Sequence, residues 1–291
     1  MSDLHPRDFE ARPDFAAGSP IVAGELSIRW FGTAAYRLEY AGKVLWIDPW
    51  FSRQGLIALR IGVIEPIRRE IDKYMDRADV IAIGHSHYDH AADLPYIAPK
   101  TGAVVYGSDS TANILRAHGT DESQIRVVTG GDTVEEGPFK IRFVPSAHGS
   151  FMGRIPGDFD IWPDIHPPLK AAEYGHGGVF GLLVEVEGYR IYHKGSAAIV
   201  EESEREVRAD LLLLGISLRT DTKRFVHRMV EMIDPQILMP MHYDYFFRPL
   251  SKGLRMVPRT RFSQVVDEAG DAKPEIRIVT LPLLGEYRLR P

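Results

Sequence analysis

From residue 25 onward the chain is built of short runs in which apolar and polar positions alternate. Residues 26–30, 36–40 and 44–47 follow the period of two that sends successive side chains to opposite faces of a strand. Ala41-Gly42 marks the turn between the last two. Strands this close together predict an antiparallel meander that closes at Asp48-Pro49. Residues 80–83, 103–106 and 125–128 read as further strands, and 139–144 alternate cleanly up to Pro145. Residues 65–75 read as a helix with Pro66 in its first turn, where the missing N–H costs little. A second helix is expected over 111–117, capped by Ser108, Asp109 or Ser110.

The second half repeats the style. Residues 179–187 and 189–193 form a hairpin about Gly188, and the unbroken apolar run 211–216 reads as a strand buried on both faces. An amphipathic helix over 222–232, a strand over 237–241, a helix over 263–269 and a closing strand over 276–281 complete the pattern. Residues 1–24 lack any sustained period and read as an extended arm, long enough to lie over the body or over a neighbouring subunit of a homo-oligomer. Residues 25–291 read as one domain. Two segments stand outside the periodic pattern. Residues 53–64, with the helix after them, are a candidate lid. The proline- and glycine-rich stretch 149–178 is long enough to be a functional loop and reads as a wall of a pocket.

Composition narrows the chemistry. The 291 residues are 44% hydrophobic and 26% charged, an ordinary globular balance. With 35 Lys and Arg against 40 Asp and Glu, the net charge of −5 argues against nucleic acid as a partner, which calls for basic surface. There is no cysteine, so a metal site must be built from nitrogen and oxygen alone. No apolar run is long enough for a membrane span, and the N-terminus lacks the basic-then-apolar order of a signal peptide. A cytoplasmic protein acting on a small-molecule substrate is the resulting expectation.

The densest chemistry follows the run 80–83: His85-Ser86-His87-Tyr88-Asp89-His90 places three histidines and a carboxylate within six positions. If His85 and His87 leave the strand still extended, both imidazoles point to one side. Asp89 and His90 then fall on the turn into the next helix and approach a second point. Imidazole and carboxylate together suit Zn²⁺, with Mn²⁺ or Fe²⁺ as competitors.

This motif resembles the H-x-H-x-D-H signature of the metallo-β-lactamase superfamily. Asp48 at a strand end, His148 in Pro145-Ser146-Ala147-His148 and His242 in Met239-Pro240-Met241-His242 stand where that family has its further motifs, over residues 25 to 245 or so. The resemblance implies a four-layer αββα sandwich. It also implies one metal on His85, His87 and His148 and another on Asp89, His90 and His242, one or two Zn²⁺ in all. Asp48 would orient a ligating histidine. Asp89 would also take part in catalysis, as a proton acceptor in a mononuclear form. The branch most similar is that of ascorbate-6-phosphate lactonase and the N-acyl phosphatidylethanolamine phospholipase D type enzymes, which implies hydrolysis of an ester, lactone or phosphodiester by an activated water.

One position departs from the family. Where a Gly-Asp-Thr would supply a carboxylate bridging two metals, this chain has Gly195-Ser196-Ala197. A hydroxyl is a poorer ligand for a divalent cation, so the second metal should be weak or absent. Three readings remain open: a mononuclear enzyme, a rescue by Asp244, or a metal-binding or ligand-sensing protein without turnover. Among the remaining histidines, His176 between glycines is a candidate for substrate contact and catalysis, since those glycines allow close backbone approach. His193 reads as a strand residue, and His166, His5, His118 and His227 as loop or surface residues. Arg248, Lys252, Arg255, Arg259 and Arg261 are either a solvated basic face or an anion-binding one.

Overall fold

In the computed structural model, which describes residues 4–11 and 19–291, two seven-stranded sheets share a core and carry helices on their outer faces. In chain order the first strands are β1 (Leu26–Trp30), β2 (Tyr36–Tyr40), β3 (Lys43–Ile47), β4 (Val63–Ile64), β5 (Val80–Ala82), β6 (Val104–Gly107), β7 (Ile125–Val127) and β8 (Thr133–Glu136). They are followed by β9 (Phe139–Pro145), β10 (Leu169–Lys170), β11 (Phe180–Val186), β12 (Tyr189–Lys194), β13 (Leu211–Gly215), β14 (Ile237–Met241), β15 (Arg277–Ile278) and β16 (Glu286–Leu289).

The first sheet runs β16-β1-β2-β3-β5-β6-β7 and the second β15-β14-β13-β12-β11-β9-β8. Each half obeys one plan: antiparallel strands joined by short turns, then parallel strands reached through crossovers. The period of two decides which core a residue joins. Leu45 and Ile47 of β3 and Val80 and Ala82 of β5 enter the core between the sheets. Val44, Trp46 and Ile81 enter a second core with Ile97 and Ala98 of the helix Leu94–Thr101 and Ile114 and Leu115 of the helix Asp109–Ala117. Burying one such Val, Leu or Ile contributes about 1.5–3 kcal/mol, so a one-residue slip in register would forfeit many of these at once. Leu211 to Leu214 are buried on both faces, as their unbroken run predicts. Helices Phe225–Ile233 and Phe262–Ala272 cover that outer side through Val226, Met229, Val230, Phe262 and Val265. The result is the αββα sandwich.

Several elements differ from their sequence reading. The helix expected over 65–75 holds only over Arg68–Ile71, and the irregular stretch before it contains a helix, Leu56–Ile61, and strand β4. Strand β4 pairs with β10 from the long loop, Ile64 opposite Leu169, so the candidate lid and the long loop are joined to each other. Strands β8 and β16 were not legible. The four residues of β16 pair with β1, Leu289 opposite Leu26, across almost the whole chain. Part of the arm, residues 1–3 and 12–18, lies outside the described residues. The part that is described packs on the body: Pro6–Phe9 is a 3₁₀ turn whose Pro6 carbonyl accepts from Thr280 Oγ1, and Phe9 packs on Phe262.

Candidate metal centre

The site sits where strands of both sheets end. Asp48 follows β3, residues 83–90 follow β5, His148 follows β9, Ser196 follows β12 and His242 follows β14. Strand β5 stops at Ala82, and His85 and His87 lie on the loop beyond it, His87 with an extended backbone at φ −59° and ψ 154°. They still share a point, because His87 is the N-cap of the short helix Tyr88–Ala91, which turns Asp89 and His90 to the other side.

Two clusters result, His85 with His87 and His148, and Asp89 with His90 and His242, the ligand-type atoms of each lying within 4.8 Å of one another. His85 Nε2 is 3.1 Å from His87 Nδ1. The rings of His87 and His148 have centroids 4.5 Å apart, and those of His85 and His90 lie 3.8 Å apart, so the clusters touch. Asp89 Oδ2 is 3.3 Å from His242 Nε2 and 3.9 Å from His90 Nε2. Both clusters are buried except for the half-buried His148.

Three of the imidazoles, His87, His90 and His148, are oriented by what their other nitrogen touches, and these contacts assign their tautomers. Asp48 is the pivot. At φ +47° and fully buried, it accepts His90 Nδ1–H on Oδ2 at 2.8 Å and Gly84 N–H on Oδ1 at 2.7 Å. His148 Nδ1–H donates to Gly149 O at 2.8 Å, and His87 Nε2–H to Pro156 O at 3.1 Å. The lone pairs of His148 Nε2 and His87 Nδ1 are thereby left for the centre. The second contact shows that the long loop does form a wall. Gly157, at φ +54°, allows it: a Cβ there would stand 2.7 Å from His87 Nε2.

Electrostatics agree with that division. Burial, with the neighbouring imidazoles, pushes His85 well below the ordinary histidine range; burial takes His87 down to about 4 and His148 to about 3. All three are neutral at physiological pH, the form that binds metal. In the other cluster burial would raise Asp89, but His90 and His242 hold it far below the usual carboxylate range. Burial would likewise lower His90, yet Asp48 and Asp89 hold it above its ordinary value.

The other candidates fall as follows. His176 stands at the rim, its ring stacked on His148 at 6.2 Å and its Nε2–H donating to Asp158 Oδ1 at 3.0 Å. Ser196 Oγ accepts Gly149 N–H at 3.0 Å, which puts the hydroxyl against the loop that carries His148. Asp244, one of the readings left open by the sequence, is engaged elsewhere. Rather than adding a ligand to the second cluster, it forms a buried ion pair with Arg53 at 2.7 Å and accepts Thr33 N–H at 2.8 Å. Thr33 in turn accepts His242 N–H at 3.1 Å, so Asp244 supports a ligand's backbone instead. His193 is buried with its ring edge-on to Tyr36 and Nε2 donating to Ala34 O at 2.8 Å. In the basic run, Arg255 lies over Tyr245 and Arg248 donates to Lys252 O. Sequence reasoning missed Arg53, Pro156 and Gly157, whose roles exist only once distant segments meet.

The donor set fits a divalent cation. Two nitrogens bound tetrahedrally at ~2.0–2.1 Å lie ~3.3 Å apart, and His85 and His87 already stand at 3.1 Å. His242 Nδ1 is buried without a hydrogen-bond partner, while its Nε2 faces Asp89 Oδ2 at 3.3 Å. The imidazoles of the first cluster are kept neutral and the Asp89 carboxylate of the second is kept ionised, the protonation states in which those groups bind a metal.

Two stacked sheets with paired His and Asp clusters at their strand ends define a metallo-β-lactamase type protein. The chain matches the sequence profile of the β-lactamase superfamily domain over residues 27–242 and belongs to that family. It is 26% identical over 226 residues to a protein described as a metal-dependent hydrolase from Methanosarcina mazei, covering 76% of this chain and 85% of that one. A similarly described protein from Thermodesulfovibrio yellowstonii is 26% identical over 239 residues, covering 77% and 80%. In fold the chain is similar to a metallo hydrolase from Ignicoccus hospitalis (TM-score 0.59, 18% identity, 91% of this chain and 98% of that one). It is also similar to a metallo-β-lactamase fold protein from Bacillus subtilis (TM-score 0.57, 14% identity, 91% and 99%).

Proposed function

We propose that the protein is a metal-dependent hydrolase of an ester or lactone bond in a small molecule, with Zn²⁺ as its metal ahead of Mn²⁺ or Fe²⁺. The observation that carries this is the convergence of three neutral imidazoles beside Asp89, His90 and His242. A cation held there supplies Lewis acidity and makes water acidic enough to ionise near neutral pH.

The residues divide the remaining work. His85, His87 and His148 hold the tighter metal. Asp89 and the Asp48-oriented His90 hold charge on the other side with His242. With Ser196 in place of a bridging carboxylate, the second site is the weaker one. His176, hydrogen-bonded to Asp158 and stacked on His148, is the residue to which we assign substrate contact and proton transfer at the rim. A carbonyl substrate is favoured over a phosphodiester because Asp89 pairs with histidines alone and Arg248 and Arg255 are engaged elsewhere. A phosphoryl group calls for a cationic clamp.

The test is hydrolysis of p-nitrophenyl acetate, a γ-lactone and bis-p-nitrophenyl phosphate by Zn²⁺-loaded protein, chelated protein and His87→Ala. Turnover is expected in the first and absent in the others. His176→Ala should lower kcat by about 100-fold with metal content unchanged. Turnover that survives chelation and His87→Ala alike sinks the proposal.

A further inference from the structure

Beneath the metal centre lies a second polar cluster that the hydrolytic chemistry does not use. Lys194, the last residue of β12, is 1% exposed, and its Nζ lies 2.7 Å from Oε1 of Glu204, which is 0% exposed. Lys194 Nζ also donates to Ser146 Oγ, two residues before His148. Glu204 Oε1 accepts in addition from Tyr192 OH at 3.0 Å and from Ser146 Oγ at 3.3 Å, and Oε2 accepts Val200 N–H at 3.0 Å. Beside it Ser203 Oγ donates to Pro145 O at 2.6 Å. One buried carboxylate thus draws together the end of β9, which carries His148, the end of β12, which carries Ser196, and the turn Glu201–Glu204 between β12 and β13.

A buried ion pair is poor value for stability alone. Removing both ions from water costs several kcal/mol each, and an uncharged pair of similar volume often does as well or better. What the pair supplies that an apolar contact cannot is direction. Lys194 fixes the Ser146 hydroxyl, and with it the exit angle of the chain at Ala147-His148. Past the pair, Gly195 lies so close to the centre that a Cβ there would be 3.5 Å from both Asp48 Oδ2 and His90 Cε1. Ser196 then receives Gly149 N–H at 3.0 Å, closing a loop of contacts around His148.

We infer that Lys194, Glu204 and Ser146 form a buried tether that positions His148 toward His85 and His87 and so sets the metal affinity of that cluster. Lys194 and Ser146 are positioning residues; neither touches the metal. The inference rests on the reading of His148 as a ligand.

The experiment titrates Co²⁺ into metal-free protein, following d–d absorption with a chelator as competitor, in the intact chain and two variants. Lys194→Met/Glu204→Gln removes both charges together; the one amide oxygen keeps an acceptor for Val200 N–H, and the amide NH₂ can donate to the Tyr192 hydroxyl oxygen instead. Ser146→Ala leaves the ion pair intact and cuts only its link to the His148 loop. Both should bind Co²⁺ about 10-fold more weakly, with an altered d–d spectrum, while thermal midpoints stay within a few degrees of the parent. If the double variant does not fold, Ser146→Ala decides. Unchanged affinity and spectrum in a folded variant overturn the tether. His148→Ala separates the two readings: unchanged Co²⁺ binding there would instead remove the metal assignment on which the tether depends.

Discussion

Arg53 and Asp244 meet at 2.7 Å in the interior, each side chain 1% exposed. The pair links the segment after Asp48 to the one after His242, and the same aspartate holds the Gly32-Thr33 turn that receives His242 N–H. Asp244→Asn keeps the acceptor for Thr33 and leaves the guanidinium without its counter-charge. The expected cost is about 3 kcal/mol of stability, read by urea denaturation. Metals per chain, measured by elemental analysis, should not change. A loss of one metal would make Asp244 a ligand after all.

Ser196 stands where the resemblance implies a bridging carboxylate, and placing a carboxylate there should strengthen the second metal. Ser196→Asp keeps an acceptor for Gly149 N–H and adds a negative charge beside the two clusters. The second Zn²⁺ should bind about tenfold or more tightly, each decade being 1.4 kcal/mol. Isothermal titration would show a second resolved step that the parent lacks. An unchanged titration would mean that Ser196 does not limit occupancy.

Gly157 makes the long loop part of the metal centre. In Gly157→Ala the new methyl would lie 2.7 Å from His87 Nε2 and 2.9 Å from Tyr174 O, at a φ of +54° that alanine tolerates poorly. The loop must lift, and the Pro156 contact that orients His87 is lost. Zn²⁺ affinity should fall by about 10-fold, the scale seen when a ligand's outer partner is removed. Affinity equal to the parent would show that the wall and the ligand are independent.

Asp93 gives the fold a pH dependence that does not involve the metal. Burial raises its carboxyl to about 6, although Oδ2 accepts Phe51 N–H at 2.6 Å and Ser52 N–H at 2.9 Å. With an unfolded value of ~3.9, the native state keeps a proton that the unfolded state has lost between about pH 4 and 6. Stability from this group therefore falls as pH rises through that window, by on the order of 2–3 kcal/mol, and stays lower above it. Asp93→Asn keeps the acceptor and cannot ionise. Its urea midpoint, compared with the parent's at pH 4.5 and 7.5, should gain most at the higher pH; an equal difference at both would contradict the assignment.

How far the sequence reached depended on the range of the interactions. Strand β14 was legible over 237–241 because five apolar residues between polar flanks suffice to define it. The helix read over 222–232 forms over Phe225–Ile233, shifted because Glu268, from another helix, accepts Val226 N–H at 3.0 Å and fixes its start. Strand β16 was illegible because its partner, β1, is far away in sequence and four residues carry too little pattern alone.

By itself the sequence determined most strands and helices, through its period-2 runs and buried apolar stretches; the sandwich and the expected donor set were legible through the resemblance that the H-x-H-x-D-H run, His148 and His242 carry. Only the tertiary structure decided which nitrogen of His90, His148 and His87 faces the centre, since Asp48, Gly149 and Pro156 do that from three separate segments. It alone gave Asp244 to Arg53 rather than to the metal site. Spacing along a chain fixes which groups can meet locally; the partner a buried charge takes depends on which segments fold against it, and no local pattern carries that information.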